Sequence, residues 1–201
     1  MKIVFVANNK NKRLARVLPK LEKRFRDLGE VQVLSTLRKK HAIDLARGAS
    51  ENGCDYLIAV GGDGTLHEVL NGLMQSNLPT NAYPAIGLLP YGSANDFART
   101  ANSSKSIDTL VDLIRTKNIR KVDLAKIILH ETGEIRYFIN VAGVGLGAEV
   151  AQNLAASSSA LGPGFHYFIH ILKGFLKYSK KHVSCTGNTW QWKGPLLQLA
   201  V

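Results

Sequence analysis

Apolar and polar positions follow two different periods along this chain. Short apolar runs recur at residues 3–7, 31–34, 57–60 and 83–89. They are compact and rich in β-branched residues, as expected of strands buried on both faces. Pro84 falls near the start of the fourth run, where a strand tolerates proline. Between these runs the spacing is helical. Leu14, Val17, Leu18, Leu21, Phe25 and Leu28 share one face, Arg13, Arg16, Lys20, Lys23, Arg24 and Arg26 lie on the other, and Gly29 ends the helix. A second helix is expected over about residues 39–52. In a third, Leu66, Val69, Leu70, Leu73 and Met74 fall at i, i+3, i+4, i+7 and i+8, with Thr65 as N-cap and Glu68 completing a capping box. Ser106 or Asp108 caps a fourth, which ends near Lys117. The resulting order, βαβαβαβα, is that of an open parallel sheet covered on both faces.

Past Arg120 the texture changes. Residues 122–130 and 134–141 are strand-like around the turn Glu131-Thr132-Gly133. Gly143, Gly145 and Gly147 lead into a small-residue helix to about Ala156, and a loop of Ser, Gly and Pro follows. Residues 165–178 are amphipathic: Phe168, Ile169, Leu172, Phe175 and Leu176 form one side, and His166, His170, Lys173 and Lys177 form another. Such a helix either lies on a membrane surface or covers a sheet with its lysines wet. Residues 183–186 and 189–192 form a hairpin around Gly187-Asn188, and a last strand starts at Leu196. The fold class expected is α/β, with an N-terminal open parallel-sheet domain over residues 1–120. An incomplete β-rich second domain over 121–201 follows. The final apolar strand reads as the cut end of a longer sheet, with an unpaired edge.

The third junction carries the chemistry. Gly61, Gly62, Asp63 and Gly64 connect the carboxyl end of a strand to the amino end of a helix, where free N–H groups and the helix dipole suit phosphate. Three glycines allow a close approach of ligand to backbone. A bare carboxylate at Asp63 repels phosphate, so it either holds Mg²⁺, accepts a proton or hydrogen bond from a hydroxyl, or caps the helix of a simple tight turn. Gly92 lies in a second such turn after the fourth strand, and these strand ends line one crevice.

A formal charge of +11 adds that the partner is anionic: nucleotide, nucleic acid or acidic membrane. No aromatic-basic motif points to specific nucleic-acid binding. Two cysteines far apart, Cys54 and Cys185, form no disulfide framework, which fits a reducing, cytoplasmic setting. Residues 2–7 are too short for a signal-peptide core, and no apolar run is long enough to span a membrane.

Gly61-Gly62-Asp63-Gly64-Thr65 with Glu68-Val69-Leu70-Asn71-Gly72, and then Pro90-Tyr91-Gly92-Ser93-Ala94-Asn95-Asp96-Phe97-Ala98-Arg99, resembles the catalytic-domain family of diacylglycerol kinases, bacterial lipid kinases and sphingosine kinases. A lone Gly-Gly-Asp-Gly is shared with NAD kinases and phosphofructokinases; the pair of motifs at this spacing is far more specific. The likeness continues through residues 137–150. It implies ATP-dependent, Mg²⁺-assisted phosphorylation of a lipid hydroxyl. The ATP-contacting positions it implies are Asn8, Thr36, Gly61, Gly62, Asp63, Gly64, Thr65, Leu66 and His67, then Gly92 and Ser93, with Asp63 catalytic and the metal ligands unassigned. Asn95 and Asp96 are expected either to brace the two glycine loops against each other or to take part in the chemistry. Two departures stand out. Asn8-Asn9-Lys10-Asn11-Lys12 replaces the family's Asn-Pro-x-Ser-Gly, and Ser93 replaces a threonine. Members also run on for roughly another hundred residues, which hold acids assigned to proton transfer and metal binding.

The function expected is that of an ATP-dependent lipid kinase acting peripherally at an anionic membrane. A truncated, non-catalytic nucleotide- or membrane-binding remnant is the alternative, and an NAD kinase-like enzyme is a weaker one. Neither the lipid nor the oligomeric state is legible in the sequence.

Overall fold

The computed structural model describes residues 1–9, 12–150 and 178–200. They form two compact units, Met1–Asn140 and Val141–Val201. The change of texture near residue 120 therefore falls inside the first.

The first unit is built on four parallel strands: β1 (Lys2–Ala7), β2 (Glu30–Ser35), β3 (Tyr56–Gly61) and β4 (Ala85–Pro90). Their order is β2-β1-β3-β4, and β1 pairs in parallel with both β2 and β3, Phe5 lying opposite Val33 and Ile58. Alternate residues of the central strands feed two cores. Ile3, Phe5, Ala7, Tyr56, Ile58 and Val60 pack with α1 (Leu18–Phe25) and α5 (Ile107–Arg115). Val4, Val6, Leu57 and Ala59 pack with α2 (His41–Glu51) and α3 (Asp63–Met74). Burial on both faces is why these strands read as unbroken apolar runs.

The helices depart from expectation where backbone chemistry intervenes. The first amphipathic stretch is split into a 3-10 turn (Lys12–Arg16), α1, and a second 3-10 turn (Arg26–Leu28). Pro19 sits in the first turn of α1, where its missing N–H costs nothing; farther in, it would break the ladder. The predicted apolar face survives the split, with Leu14, Leu21 and Phe25 buried. Gly29 ends the segment at φ 148°, and a Cβ there would lie 2.0 Å from the Met1 carbonyl oxygen. Ser106 does cap α5, accepting from the Thr109 N–H at 3.2 Å.

The Thr65–Glu68 capping box is not formed. α3 begins three residues earlier, with Gly62 at the N-cap and no side-chain cap. Glu68 instead reaches the first turn of the neighbouring helix, accepting from the N–H groups of Lys40 and Ala42, both at 3.3 Å. The helices can lie this close because small residues face each other: a Cβ on Gly72 would meet the Ile43 carbonyl oxygen at 2.3 Å and the Ala46 Cβ at 2.8 Å. α2 starts from Lys40, which is left-handed at φ 63°.

After α4 (Asp96–Thr100) and α5, a hairpin of β5 (Ala125–Ile128) and β6 (Ile135–Phe138) completes the first unit, turning at Gly133 with φ 67°. Asn71 holds it to α3: its amide donates to the Tyr137 carbonyl and accepts from the Tyr137 N–H, both at 2.9 Å.

In the second unit β7 (Gly143–Gly145) pairs antiparallel with β10 (Gln198–Ala200), and β8 (Lys181–Thr186) pairs with β9 (Gln191–Leu196). The last strand is thus paired along one edge. The amphipathic helix expected at 165–178 and most of the small-residue helix before it fall on residues 151–177, outside those described. Among the described residues no helix is long and apolar enough to cross a membrane. Both cysteines are free, and burial pushes the Cys54 thiol up to about 11.

Candidate active site

α1 covers one face of the sheet and α2 and α3 the other, so a crevice opens at the carboxyl ends of β1 and β3, the switch point where open α/β sheets bind ligands. A cavity of about 400 Å³ lies there, lined by Asn8, Asn9, Thr36, Leu37, Arg38, Lys39, Ala42, Gly62, Gly64, Thr65, Glu68 and Gly92. Its size is within the range of roughly 300–1,000 Å³ usual for small-molecule sites.

Two glycine loops form its floor by direct backbone contact. A Cβ on Gly92 would lie 2.3 Å from the Gly62 Cα, and one on Gly62 would lie 2.9 Å from the Gly92 Cα. The Gly61 carbonyl accepts from the N–H groups of Tyr91 at 2.7 Å and Gly92 at 3.1 Å. Asn95, buried and left-handed at φ 53°, closes the second loop: its side chain accepts from the Gly92 N–H at 2.9 Å and donates to the Gly92 carbonyl at 2.8 Å. The hydrogen bonds of Asn95 thus lie within its own loop.

Asp63 joins the loops from the other side. One carboxylate oxygen accepts from the Asp96 N–H at 3.2 Å and the other from the Phe97 N–H at 3.1 Å. These are first-turn donors of α4, which has no side-chain cap of its own. Asp63 therefore caps a helix, though not its own, and its charge is turned toward α4 and away from the crevice. Asp96 contributes its backbone to this brace, while its side chain pairs with Arg99.

That arrangement removes the conflict between an aspartate and a phosphate seat. The N–H groups of Asp63 and Gly64 have no intrahelical acceptor, and no side chain caps α3. The first turn of α2, next to it, is already occupied by Glu68. Gly64 is also the one glycine of the loop with room around it, since a Cβ there would meet nothing within 4 Å. Between these two helices, an anion thus has donors, dipole and space at α3.

Of the positions singled out in the sequence, Asn8, Thr36, Gly62, Gly64, Thr65 and Gly92 line the cavity. Thr36 Oγ accepts from the Asn9 N–H at 3.2 Å, tying β2 to the loop after β1. The others lie elsewhere. Gly61 is packed against the Thr65 hydroxyl, Leu66 is in the core, and Ser93 is exposed on its loop outside the lining. His67 turns toward the hairpin, its Nδ1 lying 3.5 Å from the Asn71 amide nitrogen. Asn9, Leu37, Arg38, Lys39, Ala42 and Glu68 line the cavity without having been singled out as ligand contacts. For Asn9, Leu37, Arg38 and Lys39 the signal was adjacency to Asn8 and Thr36 in the strand-end loops; Ala42 and Glu68 come from α2 and α3.

The His67 imidazole, exposed at one edge, is held below its usual range by partial desolvation and then by the Arg136 charge, against a raising effect of Glu68. A histidine whose folded pKa is lowered resists protonation in the native state, so its contribution is present above pH 6.5 and lost as pH falls through the folded value. Melting curves between about pH 7.5 and 5.5 should therefore show a shallower loss of Tm for His67→Gln than for the wild type. Parallel slopes would exclude His67 as a source of acid sensitivity.

The metal fit is limited but coherent. Among the described residues no three His, Cys, Asp or Glu side chains cluster closely enough to cage an ion. Mg²⁺ in phosphoryl-transfer sites is commonly held by one or two carboxylates with water and phosphate oxygens, and Asp63 retains lone pairs on both oxygens for that purpose.

Fold and crevice together define an open α/β domain whose cavity lies beside two glycine loops in direct contact. The chain belongs to the diacylglycerol kinase catalytic domain family, whose model matches residues 2–127. It is 30% identical over 177 residues to a protein named probable lipid kinase YegS of Salmonella heidelberg (strain SL476), covering 88% of this chain and 57% of that protein. Identity is 31% over 177 residues to a probable lipid kinase YegS-like protein of Citrobacter koseri, with the same coverage. The chain thus spans little more than half the length of these curated relatives. A crystal structure of a diacylglycerol kinase from Bacillus anthracis str. Sterne superposes with a TM-score of 0.64 at 22% identity, over 99% of this chain and 63% of that one. A second structure from the same organism gives 0.71 at 23% identity, over 99% and 65%. These likenesses confirm the fold.

Proposed function

We propose that this chain is the nucleotide-binding part of a lipid kinase that transfers the γ-phosphoryl group of ATP to a lipid hydroxyl at an anionic membrane surface. The observation that supports it most is the uncapped start of α3, with unclaimed N–H groups beside the open side of Gly64 and the aspartate of the same turn facing elsewhere.

In this reading the phosphate chain lies along Gly62–Thr65, and backbone donors neutralise its charge without reorganising. The lipid oxygen attacks the γ-phosphorus, the bond to the β,γ-bridging oxygen breaks, ADP leaves, and the hydroxyl proton passes to a base. Little covalent chemistry is asked of the protein, so positioning and charge dominate. When bound, Mg²⁺ would supply neutralisation of the phosphate oxygens, and Asp63 would share it only through the lone pairs that its bonds to α4 leave free. The two braced loops keep the seat's shape. The chain's net charge of +11 favours an anionic membrane, worth about 1 kcal/mol per well-placed Lys or Arg.

Labelled ATP incubated with Mg²⁺, the chain and vesicles containing diacylglycerol or a sphingoid base tests the proposal. Label in the lipid fraction is the expected result. Saturable ATP binding without lipid label reduces the reading to nucleotide binding, and absence of both overturns it.

A further inference from the structure

We propose that Leu37 is the apolar platform for the nucleobase of the bound nucleotide, and so a determinant of affinity at this site; the inference rests on the ATP reading above. The phosphate end of any nucleotide is fixed by the α3 N-terminus, so the remaining lining must receive the base. By residue type that lining is mostly polar, charged or glycine. Apart from Ala42, Leu37 is the only hydrocarbon side chain lining the cavity among the described residues.

An exposed leucine by itself means little. Leu37, however, is 81% exposed, the most exposed large hydrophobic side chain among the described residues, and its backbone is pinned from several sides. The Leu37 N–H donates to His41 Nδ1 at 3.0 Å, and the His41 N–H returns to the Arg38 carbonyl at 3.3 Å. Just before it, the Thr36 N–H donates to the Ala7 carbonyl at 2.9 Å. Just after it, Lys40 is left-handed with its N–H on Glu68 at 3.3 Å. Arg38 is drawn aside by Asp44, at 2.6 Å. The loop thus presents a leucine at the mouth of a charged cavity and commits several polar groups to keeping it there. A planar base laid on that side chain removes apolar surface from water on both partners. Because leucine offers no donor or acceptor, the platform favours a base over none and leaves the base's polar edges unread.

The test is titration calorimetry of the full chain with Mg²⁺–ATP and, separately, with inorganic tripolyphosphate. The expected result is that Leu37→Ala weakens ATP about tenfold, equivalent to about 1.4 kcal/mol, and leaves tripolyphosphate unchanged. Leu37→Met, which keeps the apolar surface, should retain wild-type affinity for both. Unaltered ATP affinity in Leu37→Ala overturns the proposal, as does an equal loss for both ligands, which would make Leu37 a structural residue. Loss of binding to anionic vesicles with ATP affinity intact would assign Leu37 to membrane contact and overturn it too. A wild-type chain that binds neither ligand removes the ATP reading and Leu37 with it. Wild-type binding of both, with an unaltered Leu37→Ala, overturns the platform alone.

Discussion

Gly92→Ala should lower the Tm by roughly 5–10 °C and abolish nucleotide binding, whereas Gly64→Ala, in the partner loop, should leave the Tm unchanged or higher. The contrast follows from what each new methyl meets. At Gly92 it would stand 2.3 Å from the Gly62 Cα and 2.8 Å from the Asn95 side-chain oxygen. The first obstacle is backbone, which cannot swing aside as a flexible side chain can. Overpacking of this kind costs about 1–3 kcal/mol, and each kcal/mol is worth roughly 2–4 °C in a chain of this size. The loops must separate, and the seat between them loses its shape. At Gly64 the methyl meets no protein atom within 4 Å, and alanine in a helix is better by roughly 0.5–1 kcal/mol than glycine. What it fills is the space left for a ligand, so affinity should fall by about tenfold or more even as stability holds. Thermal melts and ATP titrations of the two variants measure both halves. A Gly64→Ala chain that binds ATP normally would show that no phosphate approaches that side of the loop.

The strands were legible because burial on both faces leaves nothing polar to interrupt them. Residues 57–60 announced β3 almost to its ends, and the two cores follow from simple alternation along β1 and β3. What the sequence could not show was where short-range signals are spent on long-range contacts. Thr65 and Glu68 have the spacing of a capping box, yet Glu68 serves α2 and the Thr65 hydroxyl packs at Gly61. Pro19 split a helix whose apolar face was otherwise correctly read. The candidate site was overextended for a related reason. A motif is continuous in sequence, but a helix turns its successive residues to different sides. Residues 61–67 therefore cannot all touch one ligand: Leu66 goes to the core and His67 to the hairpin, while Gly62, Gly64 and Thr65 keep the cavity. Leu37 escaped notice for the opposite reason, since no pattern marks a leucine whose meaning comes from the loop that holds it.

Asp63→Ala is expected to end phosphoryl transfer and to cost about 0.5–2 kcal/mol of stability, the usual range for losing a helix-capping side chain. Asp63→Asn separates the two roles. The amide oxygen can still accept one N–H from the start of α4, but its NH₂ faces the other donor, so the brace is half kept. If Asp63 only positions the loops, the asparagine variant should melt between wild type and Asp63→Ala, bind ATP with modestly reduced affinity, and transfer phosphate in proportion to that binding. If the carboxylate also takes the proton or shares the metal, transfer should vanish in both variants while ATP binding survives in Asp63→Asn. Measuring Tm, ATP affinity and lipid labelling on the same three proteins decides between them. A carboxylate that accepts one N–H on each oxygen is locked in orientation, and because both bonds hold it to the start of α4 the geometry favours the positioning role. Residual transfer by Asp63→Asn that scales with ATP occupancy would remove Asp63 from the chemistry and leave it as the pin between two loops.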